Sequence, residues 1–387
     1  MAESTTFTGN IDSSRAAGTY TTAYQRLTSQ DKYSAAVRFA CFTKNPFTRA
    51  IGVEGFGVES MKNLQAFGSA KPTGNMVRYE SGRYGFSHSI FATTGTSYHT
   101  GRMGSRNPEL VEGGDESVWS WHQLNNSQYI PENDVDDNGQ PLIPIRVLKE
   151  RNMKEKFVGD FNMTILGSSS APDYGTLGAS VVYHDLPNLI SVDQTRTVGG
   201  IATTNSFWAN GYKAVTSVGG GGEMDRPITL RRSMMDQTND QMTYGEATDQ
   251  YLYLCTQGAY QYYDRLMYAD AIQGGQGGVF ASYAKYDAAG IPNKAFNGRP
   301  LIWDSSVTVP YASSAVTAGT EAIYGIHIPD FGICIRKEKN FKFSGWEPPR
   351  AHDQYATYVA HLELRYTPYV LSRRAHFVLY NIPANAD

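Results

Sequence analysis

The chain is 387 residues long, with 41% hydrophobic residues, 18% charged residues, 38 glycines and 17 prolines. Glycine and proline together make about one residue in seven, too loop-rich for a helical bundle, while 12% aromatics and no glycine triplet exclude a disordered or collagen-like chain. A formal net charge of −3, a pI near 6.3 and the lack of any block of like charge argue against a dedicated nucleic-acid binder.

Residues 1 to about 50 are rich in Ser, Thr, Ala and Gly, with no sustained period of 2 or 3.6. They read as an extended arm carrying a short helix around Tyr33 to Phe42. From Ser69 to Ser117, two strand-like stretches, Met76 to Glu80 and Tyr84 to Phe91, lie among Gly82, Gly95, Gly101, Gly104, Gly113 and Gly114. A ribbon with so few large apolar side chains does not hold itself up in water. It must lie on its own domain or on another subunit.

Val118 to Leu124 alternates like a strand, and a turn-rich stretch follows from Pro131 to Pro141. The clearest helix runs from Ile145 to Leu166. Met153, Phe157, Phe161 and Ile165 recur every four residues, Gly167 is a stop signal, and the other faces carry Arg146, Lys149, Glu150, Arg151, Lys154, Glu155 and Lys156.

Ser168 to Asp173 marks the passage into a second lobe, the count of two or three lobes following from about 150 residues per domain. Pro227 sits in the first turn of a helix whose stripe continues through Met234, Met235, Thr238 and Met242. Tyr251 to Cys255 is a strand feeding a helix that Thr256 can cap and that carries Tyr260, Tyr263, Leu266 and Met267. Asn297-Gly298 between Ala295-Phe296 and Leu301-Ile302-Trp303 is a hairpin signal. Ile323 to Ile328 and Gly332 to Arg336 give two strands joined at Pro329-Asp330. From Tyr355 the pattern alternates, with Tyr358, Ala360, Leu362, Leu364 and Tyr366 facing inward against Val359, His361, Glu363 and Arg365. Val370 to Tyr380 is a further strand-like run, interrupted at Arg373-Arg374, and Asn381 to Asp387 is a polar tail.

Chemistry-bearing motifs are sparse. The glycine runs at 219 to 222 and 274 to 278 lack the Lys-Ser or Lys-Thr of a phosphate loop and read as flexible loops. Asp134-Val135-Asp136-Asp137-Asn138-Gly139 matches the first half of a calcium-binding loop, so Asp134, Asp136 and Asn138 are the candidate cation ligands. The bidentate glutamate position falls on Ile145, however, and a turn rich in side-chain-to-backbone bonds is the simpler reading. The eight histidines show no zinc spacing, and no Gly-x-Ser-x-Gly elbow accompanies Ser87-His88. Acidic pairs such as Glu112 and Asp115 are solvated charges by default. Lys337-Glu338-Lys339 and Arg373-Arg374 read as a solvated face or intersubunit contacts. No catalytic residue and no cofactor site is assigned. Cys41, Cys255 and Cys334 are odd in number and far apart, so they are expected to be free thiols of a cytoplasmic product. The start Met1-Ala2-Glu3-Ser4-Thr5-Thr6 lacks a charged region followed by an apolar run, so no signal peptide is expected, and no run approaches the roughly 20 apolar residues of a membrane span. The 26 tyrosines, against 17 phenylalanines and 5 tryptophans, point to half-buried sheet and subunit contacts.

Five strings occur in a fixed order. They are Thr197-Val198-Gly199-Gly200-Ile201 with Thr203 to Asn210, the helix at Ile228 to Met242, and the Tyr251 to Tyr260 strand and helix. Phe296 to Asp304 follows, and then Phe341-Lys342-Phe343 with Trp346-Glu347-Pro348-Pro349. With the closing strand at Tyr355 to Arg365 and the Arg373-Arg374 run, this half of the chain resembles the major capsid proteins of tailed bacteriophages, the Hong Kong 97-type fold. The resemblance implies an α+β fold with an N-terminal arm (1–60), an extended β-ribbon loop (61–117), a peripheral domain (118–171 and 351–387) with a spine helix at about 145–166, and an axial domain (172–350). It implies a structural protein, not an enzyme, that assembles with its own copies as hexamers and pentamers into an icosahedral head. The head would enclose double-stranded DNA without reading its sequence.

A scaffolding protein and a portal are the implied partners, with a decoration protein possible and no membrane, and the product would be the virion capsid assembled in the host cytoplasm. Arg78, Arg83, Arg102 and Arg106 of the loop are the candidate intersubunit contacts, and deletion of Gly74 to Gly113 is expected to leave a folded subunit that does not assemble. Competing readings are a bacterial nanocompartment shell of the same fold, a carbohydrate-active hydrolase with tyrosine-lined subsites, and a tail or adhesin-like binding protein. The 131–141 insertion and the 219–222 glycines depart from the family pattern.

Overall fold

Among the described residues two large β-sheets carry most of the strands, and neither is built from one contiguous stretch. The computed structural model describes residues 20–48, 77–81, 85–91, 114–131, 134, 145–167, 185–194, 197–202, 208–215, 227–243, 251–263, 294–296, 299–310, 316–317, 319–347 and 357–383.

The first sheet is organised by its longest strand, β14 (Thr357–Val370). One edge of β14 pairs antiparallel with β4 (His122–Pro131) over ten residues, from Thr357↔Pro131 to Tyr366↔His122. Its other edge takes β13 (Lys342–Phe343) and β12 (Phe331–Arg336), both antiparallel, and β1 (Val77–Glu80) lies parallel on the far side of β12. The expected alternation along β14 holds as far as Tyr366, after which both faces are buried. The second sheet has the order β7 (Gly211–Ala214), β15 (Phe377–Pro383), β11 (Thr320–His327), β8 (Tyr251–Cys255), β10 (Arg299–Trp303), β9 (Lys294–Phe296). The hairpin expected at Asn297-Gly298 is the antiparallel β9–β10 pair.

Helix α1 (Tyr20–Cys41) and helix α2 (Ile145–Leu166) cover the first sheet. The expected bounds of α2 are those observed, and Gly167 closes it at φ +72°. Met153, Phe157, Phe161 and Ile165 are fully buried. Each contributes about 1.5–3 kcal/mol by leaving water. Phe161 meets Tyr366 of β14 at 5.0 Å and Phe42 at 5.6 Å. Helix α3 (Pro227–Thr243) packs on β7 and β15, with Leu230 and Met234 in a second core beside Tyr251, Tyr253 and Phe377. The three cysteines are buried and none is in a disulfide.

Several expectations change. Residues 20–48 are not extended chain: α1 is twice the length the sequence pattern indicated, and Tyr33, Val37, Cys41, Phe42 and Phe47 enter the main core. The strands expected to pair with each other in a ribbon do not. β1 joins the first sheet, while β2 (Gly85–Phe91) pairs with β3 (Gly114–Ser120), from Gly85↔Ser120 to Phe91↔Gly114. The Val118 to Leu124 strand is therefore two strands that part at Trp121. The sheets also cut across the boundary expected near residue 350: β12 and β13 pair with β14, and β15 closes into the second sheet. Thr256 does not cap its helix by its side chain. Its hydroxyl accepts from Ala322 N (3.2 Å) and donates to Ala322 O (3.3 Å), tying residues 256–263 to β11. Arg146 and Glu150, expected on the solvated faces of α2, are 1% and 7% exposed.

Candidate functional site

The Gly-Gly-Ile string is a tight hairpin. β5 (Thr197–Val198) and β6 (Ile201–Ala202) pair around Gly199 and Gly200, whose φ values are +59° and +82°. Two successive positive φ values make a primed turn that residues with a Cβ adopt only under strain. This hairpin receives the root of the β2–β3 ribbon: Val118 N donates to Gly199 O (2.8 Å), and a Cβ on Gly199 would lie 2.9 Å from Trp119 Cζ2. Trp119 is fully buried, its Nε1 donates to Ser117 Oγ (3.1 Å), and its ring meets Tyr369 of β14 at 6.4 Å. Phe86, opposite Trp119 in the ribbon, meets Tyr369 and Trp121 at 5.4 Å each. These aromatics cover the second face of β14, which is why its alternation stops at Tyr366.

Behind the hairpin, Trp208 Nε1 donates to Val198 O (2.9 Å), and Trp208 O accepts from Arg373 Nη1 (3.0 Å). Arg373 also donates from Nε to Leu189 O (2.8 Å), from Nη2 to Ser191 Oγ (3.0 Å) and from Nη1 to Gln194 Oε1 (3.2 Å). Its expected place on a solvated face or at a subunit contact is corrected: the guanidinium is fully buried and holds the 186–194 segment and Trp208 to the connection between β14 and β15. The partners are neutral oxygens, and burial lowers the guanidinium pKa to about 9, which still leaves it charged at neutral pH.

The chain crosses between the sheets at 328–330 and again at 371–376, and the two crossings touch. Leu371 N donates to Asp330 O (2.8 Å), His327 Nδ1 lies 2.5 Å from Asp330 Oδ2, and His327 N donates to His376 Nδ1 (3.1 Å). Gly211 N donates to His376 O (2.9 Å) and Tyr251 Oη to Ala375 O (2.8 Å). Because Nδ1 of His376 accepts a backbone N–H, the imidazole is neutral with its proton on Nε2. Burial drives its pKa down to about 3. The far end of α2 makes another link between sheets: Asn162 Nδ2 donates to both carboxylate oxygens of Asp304 (3.0 Å), and Thr308 Oγ1 donates to Gly167 O (3.1 Å).

Residues 30–45, α1 and the turn after it, clasp α2 and the turn after β13. Tyr33 Oη donates to Glu150 O (2.6 Å), Asn45 Nδ2 to Val158 O (3.1 Å), Gln30 Nε2 to Ser344 O (2.9 Å), and Lys44 pairs with Glu155. The Glu150 carboxylate accepts from Trp346 Nε1 (2.7 Å), and the Arg146 guanidinium lies 5.1 Å from the Tyr358 ring centroid. Burial raises the Glu150 pKa to about 6, against the opposing pull of Trp346 and Arg146.

The residues singled out from sequence fall apart in space. Arg78 stands in β1 opposite Cys334, and Arg83, Arg102 and Arg106 lie outside the described residues. Asp134 follows β4, half-buried, while Asp136 and Asn138 are outside the described residues. Among the described residues no group of three His, Cys, Asp or Glu is placed to hold a metal ion, and no helix is long and apolar enough to cross a membrane. Sequence reasoning missed Trp119, Trp208 and Arg373. Trp208 stood inside the quoted string, but nothing in the pattern revealed that the string meets the ribbon.

No protein-family model matches the sequence, and no curated protein matches it significantly. Among solved structures the chain is similar to the capsid protein of cyanophage A-1(L), with 13% identity, 80% of this chain and 90% of that chain covered, and a TM-score of 0.51. It is also similar to the capsid protein of cyanophage P-SCSP1u (11% identity, 80% and 86% covered, TM-score 0.45) and to the SrpI encapsulin of Synechococcus elongatus (11%, 80% and 86%, TM-score 0.44). The two-sheet body with a long helix, an emergent ribbon and strands exchanged between the sheets is therefore the Hong Kong 97-type capsid fold that the ordered motifs implied.

Proposed function

We propose that the chain is a major capsid protein, a structural protein whose copies form hexamers and pentamers and close into an icosahedral phage head around double-stranded DNA. The observation that carries this reading is the fold likeness to a phage capsid protein, which spans 80% of this chain and 90% of the other. The first sheet with α1 and α2 serves as the peripheral domain and the second sheet as the axial domain. The ribbon, seated on Gly199 and Tyr369, directs residues 92–113 onto a neighbouring subunit, where Arg102 and Arg106 make contacts. Arg83 and Arg78 complete the proposed set. Repetition of modest contacts around symmetry axes then gives a stable shell. A scaffolding protein, a portal and a decoration protein are its proposed partners, and the virion its location.

Deleting Gly74 to Gly113 would also take β1 out of the first sheet and β2 out of the ribbon, so loss of assembly in that deletion would not isolate residues 92–113. Expression of the full chain, followed by sedimentation, imaging and analysis of the particle contents, is the direct assay. Closed shells support the reading, and protein that stays monomeric under every assembly condition overturns it. Shells filled with a cargo protein instead of nucleic acid select the nanocompartment reading.

A further inference from the structure

A net charge of −3 conceals a marked separation of charge. The segments 20–48 and 145–166, which form the α1–α2 layer, carry nine Lys and Arg (Arg26, Lys32, Arg38, Lys44, Arg146, Lys149, Arg151, Lys154, Lys156) against four Asp and Glu (Asp31, Glu150, Glu155, Asp160). That is a net +5, so the rest of the chain carries −8. On α2, Arg151 and Lys156 are exposed and Lys149 and Lys154 are half-exposed; Lys32 and Lys44 are exposed on the neighbouring segment. Three of the four acids are buried or paired: Glu150 is buried, Glu155 pairs with Lys44, and burial raises the Asp160 carboxyl against the lowering pull of Lys156. The Lys44 hydrogen bond, aided by the Lys44, Lys154 and Arg151 charges, holds the exposed Glu155 carboxyl below its ordinary range. Lys149 and Lys156 stand two turns apart on one flank, about 10.5 Å along the axis, with Arg151 and Lys154 on the other.

We infer that the solvent-facing side of the α1–α2 layer docks the phosphate backbone of nucleic acid, without sequence preference. Separated rows of flexible cations suit a repeating phosphate charge, and no base-reading arrangement accompanies them. The inference rests on the shell reading only in making this layer the side that faces the packaged DNA. Lys149, Arg151, Lys154 and Lys156 supply the phosphate contacts.

The test is fluorescence anisotropy of a labelled 24-base-pair duplex of random sequence against the unassembled full-length subunit, in a salt series. Three or four phosphate contacts predict that log affinity falls with log salt at a slope of about −3 to −4. The variant with Lys149, Arg151, Lys154 and Lys156 all changed to Gln is expected to bind at least tenfold more weakly, with a shallower slope and an unchanged circular dichroism spectrum. A Lys337→Gln control, on an exposed turn elsewhere, is expected to bind as wild type. Equal binding by the fourfold variant and wild type overturns the inference. So does a wild-type subunit that ignores the duplex but binds a poly-glutamate peptide, because the occupant is then an acidic protein. Shell imaging is read separately: shells without duplex binding overturn this inference alone, and duplex binding without shells overturns the shell reading alone.

Discussion

The α1–α2 layer and the junction between the sheets each bury an arginine and a titratable neighbour, yet they manage the charge in opposite ways. In the helix layer Arg146 lies beside Glu150 and against the Tyr358 ring, so a cation and a carboxylate share the burial. At the junction the oxygens of Leu189, Ser191, Gln194 and Trp208 take the place of water around Arg373, and His376 is held neutral. A charge carried by fixed dipoles ties several chain segments to one point, whereas a paired charge ties two side chains. The junction is therefore the more brittle of the two regions, and the two should respond to acid with opposite sign.

The largest expected effect is Arg373→Met. It leaves four oxygens without their donor and is expected to cost about 3–5 kcal/mol in chemical denaturation, with Arg373→Lys recovering only part. A loss below about 1 kcal/mol would mean that water reaches the site and that the pin is not structural.

Next comes acid. His376 has a folded pKa of about 3, below its ordinary value of 6.5, so the unfolded chain binds the extra proton first. Its contribution is complete above pH 6.5 and is lost as pH falls toward 3, at up to about 1.4 kcal/mol per pH unit. His376→Asn, whose Oδ1 can accept from His327 N, is expected to flatten that part of the pH profile. A variant as acid-sensitive as wild type would place the titration elsewhere, with buried His122, pushed down to about 4, the next candidate.

Gly199→Ala is expected to cost about 2–3 kcal/mol, from strain at positive φ and from contact with Trp119. The loss should shrink when Trp119→Phe is combined with it. Additive losses would show that the hairpin and the ribbon root are independent.

The smallest effect runs against the acid trend of the junction. The Glu150 pKa, raised to about 6 from 4.5, makes its contribution full below about pH 4.5 and lost as pH rises through 6. Glu150→Gln, which can still accept from Trp346, is expected to stabilise the protein at pH 7.5 by up to about 2 kcal/mol and to remove the gain on mild acidification. Destabilisation at pH 7.5 would show that the Arg146 pairing outweighs desolvation.

What could be read from the sequence follows the same division. The α2 stripe and the β9–β10 hairpin depend on local periodicity and lie where it places them, while β14 continues past the expected Arg365 to Val370 and β15 runs into the expected polar tail as far as Pro383. Helix α1 was underestimated because its buried positions, Tyr33, Val37 and Cys41, sit among Ser, Thr and Ala that give no strong amphipathic pattern. The partners of β1, β2 and β15 are separated by up to hundreds of residues, and periodicity carries no information about pairing. Arg373 looked like a surface cation because a buried arginine held by backbone carbonyls has no charged partner in the sequence to betray it. The shell reading came from the order of the motifs, while the Trp119–Gly199–Tyr369 seat beneath it became visible only in three dimensions.

The most direct measurement compares electron micrographs of the full-length protein with those of a variant in which residues 92–113, between β2 and β3, are replaced by a short turn. Closed shells of uniform diameter are expected from the first, and folded subunits with wild-type thermal stability but no shells from the second. Full-length protein that never closes, or a variant that closes as well as wild type, would contradict the proposed mode of assembly.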